Sequence, residues 1–241
     1  MGKIFKYELK RLLLSKLYIA LLIVNGIFAW YVLSADIIMG VAFTAPFSMW
    51  SFGGFMAAVM PMGILTMLFL MSFYYSTNER LVEELTTATP APKLKYMLVR
   101  NGVVALGFLV ICLMAVALSV YFYVSIFGFS NFAGFVLPGI ITVLPGFMFF
   151  MGFGALAGRI RPGVLYALIP AVFLVGFGAG PVFLDVFGGG YYGNAPLDLP
   201  VGIDGEPGFV LSLSFMLSRV FFLVAGGIMW FISLRPGKQE V

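Results

Sequence analysis

The chain has 241 residues, of which 62% are hydrophobic and only 10% charged, with a formal net charge of +4. A soluble domain carries about 25% charged residues, so this composition excludes a water-soluble core. Histidine is absent, which excludes His-containing zinc sites, histidine general bases and Ser–His nucleophile pairs.

Thirteen of the fourteen Lys and Arg residues fall in four clusters: Lys3, Lys6, Lys10, Arg11 and Lys16; Arg80, Lys93, Lys95 and Arg100; Arg159 and Arg161; Arg235 and Lys238. Two apolar stretches separate each cluster from the next, joined by a connection free of Lys and Arg. Cytoplasmic loops collect these residues and translocated loops do not. The pattern predicts an all-α polytopic membrane protein with six transmembrane helices and both termini cytoplasmic. Each crossing needs about 20 apolar residues, which places spans near 17–35, 51–75, 102–127, 135–157, 164–187 and 209–234. No segment outside them is long enough for a soluble domain, so residues 1–241 read as one transmembrane domain. The basic residues sit at membrane boundaries, where they meet anionic headgroups. They do not form a nucleic-acid surface.

In chain order, residues 1–16 come first. Lys3, Lys6 and Lys10 make one stripe at helical spacing and Phe5, Leu9 and Leu12 another, which predicts an interfacial amphipathic helix with its apolar face towards the membrane. The apolar run that follows exceeds a signal-peptide core of about 7–15 residues, so it reads as an uncleaved first span. Pro61, Pro145 and Pro170 lie within the second, fourth and fifth spans, where a lost hydrogen bond can bend a helix. Gly154 with Gly158, and Gly176 with Gly180, have the spacing of close helix contacts. Cys112 is the single cysteine and reads as a packing residue. Asp185 is the only aspartate close to a span, at its end, so an intramembrane aspartyl pair is excluded and nothing points to an enzyme.

Residues 76–101 form a cytoplasmic loop. Glu79, Arg80, Glu83 and Glu84 follow the second span without a breaker, which predicts that the second helix continues two or three turns past the membrane. It must stop before Pro90, since a residue preceding proline avoids the helical region. Thr89 can cap a new helix with Pro90 in its first turn, and that helix carries Lys93, Lys95 and Arg100 into the third span. The result is a helical knob of mixed charge. Read from the residues alone, it is either a solvated connector or a docking element for a soluble partner. Leu85 and Leu94 are the apolar groups that a partner's groove would take.

The preceding amphipathic helix, the six spans and this loop together resemble the permease subunits of the type-2 ABC exporter family. In that family the loop reads as an acidic residue, an apolar pair, Thr-Pro and a basic residue. Here it is Glu83-Glu84-Leu85, Thr89-Pro90, Lys93 and an apolar run ending at Arg100. Lys93 stands where arginine is common, and Pro92 is unusual. The resemblance implies that Glu79, Glu83, Glu84, Leu85, Thr89, Pro90, Lys93 and Leu94 couple to an ABC ATPase subunit. The chain has no G-x-x-x-x-G-K-[ST] phosphate loop, so ATP and Mg would be bound by that separate chain, and no cofactor by this one. Six spans are half an exporter, which implies a second permease in a homodimer or heterodimer, set among membrane lipids of the cell membrane.

The external loop, 188–208, is rich in Gly and Pro and carries Tyr191, Tyr192, Asp198, Asp204 and Glu206. It reads as a connector or, by the resemblance, as a segment that dips back and helps close the exit. Arg219 lies eleven residues into the sixth expected span, some 15 Å deep, where a charge costs about 2.5 kcal/mol or more. It either lines a polar pathway together with Ser212, which shares its face, or is held by carbonyls in a packed interface. The function expected from all this is export of a hydrophobic or amphiphilic substrate by alternating access, driven by the partner ATPase. The alternatives are a small-molecule-binding capture subunit of an uptake system, or a membrane scaffold or channel without energy coupling.

Overall fold

The computed structural model describes residues 2–76, 79, 93–177, 185–202 and 205–235. Among the described residues the protein is all-helical, with a single isolated β-bridge between Val201 and Pro207. The helices are α1 (Gly2–Leu13), α2 (Lys16–Ala35), α3 (Met49–Tyr74), α4 (Lys93–Phe127), α5 (Val136–Ile160), α6 (Pro162–Phe177), α7 (Gly189–Asn194) and α8 (Leu213–Leu234). Among the described residues α2, α3, α4, α5 and α8 are long and apolar enough to cross a membrane, and the protein is membrane-embedded on that ground.

Helix starts follow from serine caps. Ser15, Ser48 and Ser212 each stand in extended backbone and accept a hydrogen bond from the amide three residues on, at 3.1, 3.0 and 3.3 Å, satisfying an otherwise orphaned donor. Helix α3 is the centre of the molecule. Its most apolar window is 72% buried inside the protein, against 28% for those of α2 and α8. A helix that is apolar all round belongs in an interior. It packs against α2, α4, α5, α6 and α7. Pro61, Pro145 and Pro170 lie inside unbroken helices.

Helices α5 and α8 run parallel and make the closest contact. A Cβ placed on Gly152 would sit 2.0 Å from the Gly226 carbonyl oxygen, and one on Gly226 would sit 2.3 Å from that of Met148. The two backbones therefore touch with no side chain between them. Of the glycines singled out by spacing, Gly154 abuts Leu68 and Met71, Gly158 the Tyr75 ring, and Gly176 Pro61. All three bring α5 or α6 close to the α3 segment. Gly180 lies outside the described residues.

Two expectations are corrected. The second helix is not continuous with its expected extension. It ends at Tyr74, where the Tyr75 and Ser76 amides turn back onto the Ser72 and Phe73 carbonyls and the Tyr75 ring lies against Gly158. Glu79 is itself helical, and the rest of the expected extension lies outside the described residues, while α4 runs unbroken over 35 residues. The stretch expected over 164–187 contains α6, whose 16 residues span about 24 Å, and the chain is bent, not helical, at residues 186–187.

The amphipathic segment does form α1, with a finer division of faces than the stripe suggested. Leu12 is buried, and Phe5, Leu9 and Leu13 pack against the core, where α1 lies on α4. Ile4, Tyr7 and Leu14 are the apolar groups left facing outward.

Candidate functional site

Two polar clusters stand out in an otherwise apolar molecule, one at each end of the helix bundle. The first lies at the base, where α1, the end of α3, Glu79 and the start of α4 meet. The Arg11 guanidinium pairs with the Glu79 carboxylate, and Arg100 donates to the same carboxylate at 2.7 Å. Arg100 also donates to the Tyr96 hydroxyl at 2.8 Å, which in turn donates to Glu8 at 3.2 Å. Glu8 stands 3.8 Å from Arg11, so the five side chains close a ring. Helical spacing explains half of it. Glu8 and Arg11 are three apart on α1, and Tyr96 and Arg100 four apart on α4, so each pair shares a face.

The two formal positive charges of the ring match its two negative ones. Arg11 also lies over the Phe73 ring at 4.8 Å, and Arg100 over Tyr74 and Tyr96 at 4.9 and 4.3 Å, which ties in the last turn of α3. Glu8, Glu79 and Arg100 are all buried. Buried ion pairs depend on such partnering, because each charge has lost its water; among the described residues, Glu8 Oε2 and Arg100 Nε make no hydrogen bond.

This geometry fixes the roles open to the expected coupling residues. Glu79 faces inward, so its carboxylate holds the base of the loop and is not displayed on its surface. Leu94, in the first turn of α4, is 48% exposed and remains available to a partner. Lys93 begins α4. Glu83, Glu84, Leu85, Thr89 and Pro90 lie outside the described residues. Glu8, Arg11, Tyr96 and Arg100 were not singled out as site residues. The signal for them was a glutamate within the basic amphipathic helix, a place where lysines and arginines alone would serve orientation.

The second cluster lies at the opposite end. Arg219 is buried on α8, and its guanidinium donates to the backbone carbonyls of Asp185 and Val186, with the Phe215 ring 4.4 Å away. The Asp185 carboxylate accepts from the amides of Gly188 and Gly190, both at 2.7 Å, and from Tyr191 at 3.3 Å. It thereby satisfies the amides that open α7.

Helix α7 carries Tyr191 and Tyr192 inward. Tyr191 stacks on Phe215 with ring centroids 3.9 Å apart. Its hydroxyl donates to the Val210 carbonyl and accepts from the Ser212 amide, at 2.9 and 2.8 Å. Tyr192 is fully buried beside Gly53 and exchanges a hydrogen bond with Thr142 at 2.9 Å. Burial pushes its hydroxyl up to about 12. Helix α7 is thus packed against α3 and α5 through Tyr192, so this part of the external loop is not a plain connector. Glu206 accepts from the Ala45 amide at 2.8 Å, and the Trp50 indole donates to the Pro207 carbonyl at 3.2 Å, so the loop after α2 and the loop before α8 meet at the same end.

Ser212 and Arg219 do not share a pathway face. Residues 209–212 are not helical, Ser212 caps α8, and Arg219 stands six residues beyond the first residue of the helix. That is about 9 Å from the helix end, nearer the surface than a midplane position. Arg159 acts in a comparable way at the base, donating to the carbonyls of Ser233 and Arg235 where α8 ends, a favourable place for a cation. No protein-family model, no curated protein and no solved structure matches the chain.

Proposed function

We propose that this chain is the permease subunit of an ATP-driven exporter of the type-2 ABC class, acting with a separate ATPase and a second permease. In this reading the chain crosses six times, the fifth crossing beginning with α6, and α1, the 76–93 loop and residue 235 are cytoplasmic. The Lys and Arg distribution supports that orientation. So does the meeting of the 36–48 and 205–212 segments at the opposite end.

The observation that carries the reading is the mounting of the 80–92 loop. Glu79 and Arg100 are paired across its two ends at 2.7 Å. Helix α4 continues from the loop without interruption for 35 residues, about 52 Å, against a hydrocarbon thickness of about 30 Å. A loop clamped at its base and fused to a helix longer than the membrane is a lever. Closure of an ATPase dimer against Glu83, Glu84, Leu85, Thr89, Pro90, Lys93 and Leu94 would move that lever and switch access for a hydrophobic or amphiphilic substrate. The packed aromatic cluster around Trp50, Tyr191, Tyr192 and Phe215 would form the external closure.

Exposed ion pairs contribute only about 0–1 kcal/mol each, so docking rests more on Leu85 and Leu94 than on single charges. The test is purification in detergent and identification of the soluble chain that travels with the permease. Charge reversal of Glu83 with Glu84, and separately serine at positions 85 and 94, is expected to abolish co-purification and ATPase stimulation. If both variants insert normally and hold and stimulate the same ATPase at wild-type levels, the docking role is lost. A chain that purifies alone and retains a small ligand would be a capture module instead.

A further inference from the structure

Among the described residues, the polar contacts that orient α1 run through the ring at the base. Helix α1 is connected to α2 through Leu14 and Ser15, where the helix is broken and Ser15 is extended. Its remaining contacts with α4 are apolar, through Phe5, Leu9, Leu12 and Leu13. Apolar contact is non-directional and leaves a short helix free to slide or tilt. The directional contacts of α1 described above are those of Glu8 and Arg11, within the ring and, for Arg11, also over the face of Phe73.

The ring is also uneven. The Arg100 and Glu79 side chains are 8% and 5% exposed, whereas that of Arg11 is 29% exposed. If the ring opens, Arg100 has nowhere to go, while Arg11 can turn into water and take α1 with it. Two guanidiniums share the Glu79 carboxylate, so its loss leaves like charges facing each other at short range, an interaction that low dielectric strengthens.

We infer that Glu79 is a positioning residue that locks α1 to the base of the 80–92 loop, and that α1 is the element this loop holds or releases when it is driven. The second half of that statement rests on the reading of the loop as an ATPase-docking element. The first half does not. A pull on the loop acts on Glu79 from one end and on α4 from the other, and the weakest joint between them is the Arg11 arm. The interfacial helix is then a moving part of the transport cycle, not only a flank of the first span.

The experiment uses the full chain in nanodiscs, with Cys112→Ser as background and spin labels at Tyr7→Cys on α1 and Leu109→Cys on α4, both exposed positions. The locked ring is expected to give a single narrow distance. Glu79→Gln and Arg11→Met are each expected to add a second, longer one, and Arg11→Lys, which keeps the charge, to restore the single distance. A role in packing alone would not separate lysine from methionine. Should Glu79→Gln fail to insert, Arg11→Met decides, since it leaves the Glu79–Arg100 pair intact. An unchanged distribution in Arg11→Met, or the same broadening in Arg11→Lys, overturns the lock.

These distances need no ATPase. With the ATPase bound, a non-hydrolysable ATP analogue is expected to shift the distance in the unsubstituted ring and to have no further effect in Arg11→Met. If the ring behaves as a lock but no ATPase binds, the lock stands and the reading of the loop falls. If the ATPase binds and its nucleotide leaves the distance unmoved, the loop reading stands and the release of α1 falls.

Discussion

Arg219 shows how much a single buried cation can organise through backbone carbonyls. Its fork meets two successive carbonyls, those of Asp185 and Val186, while the carboxylate of Asp185 is turned to the amides of residues 188–191. One residue therefore links α8 to the start of α7 through both its main chain and its side chain. Replacing Arg219 by Leu removes the donors from two buried carbonyls, at about 1–3 kcal/mol each. We expect Arg219→Leu to lower the unfolding temperature in detergent and to reduce transport. Arg219→Lys should be milder, since an ammonium reaches one carbonyl but lacks the planar fork. Wild-type stability together with wild-type transport in the Leu variant would make the residue incidental. The sequence marked Arg219 as a cation in an apolar run, and that was sufficient to single it out. Its partners were not legible, because they are backbone groups more than thirty residues away, and a backbone carbonyl carries no residue signature.

Among the helices, the pairing of α5 with α8 is the most exacting. Glycine spacing pointed to Gly154, Gly158 and Gly176, and each does admit a neighbour. The tightest seam, Gly152 against Gly226, was missed because it joins single glycines on two different helices, and spacing within one helix cannot reveal it. The adjacent glycines 226 and 227 provide an internal control. A methyl group at Gly226 would lie within 2.5 Å of α5 backbone atoms, whereas one at Gly227 meets nothing within 4 Å. Gly226→Ala is expected to cost about 1–3 kcal/mol or more through forced separation of the backbones. Gly227→Ala should be neutral or slightly stabilising, as alanine is favoured over glycine in a helix by about 1 kcal/mol. Thermal unfolding of the two variants side by side checks this, and equal effects would mean that the seam is not a tight contact. The start of α2 was legible from the apolar run to within a residue, and Ser15 caps it. The end of α3 was not, because Glu79 and Glu83 have helical spacing, while the chain breaks at Tyr75, whose ring packs on Gly158 and whose hydroxyl donates to the Ala155 carbonyl of α5.

At the scale of the whole chain, segregation of Lys and Arg was the most informative feature, since it depends on sequence order alone. Among the described residues, five of the six apolar stretches form helices of membrane-crossing length, and part of the fifth lies outside them. The orientation is checked by labelling single cysteines in intact cells with an impermeant reagent. Positions 43 and 198, both exposed, are expected to react from outside and position 95 only after permeabilisation. The opposite pattern would invert the topology. The seam between α5 and α8 has a consequence for biogenesis. The two helices are separated in the chain by α6, α7 and the loops around them, so α5 is made and inserted long before its partner is translated. Until then the bare backbone around Gly152 faces lipid or the insertion machinery with nothing to fit it. Nascent chains arrested before Leu213 should therefore be open to membrane proteases, with resistance arriving in one step once α8 has entered. Quality control of this protein is set by the last helix to be synthesised among those described, not by the central one.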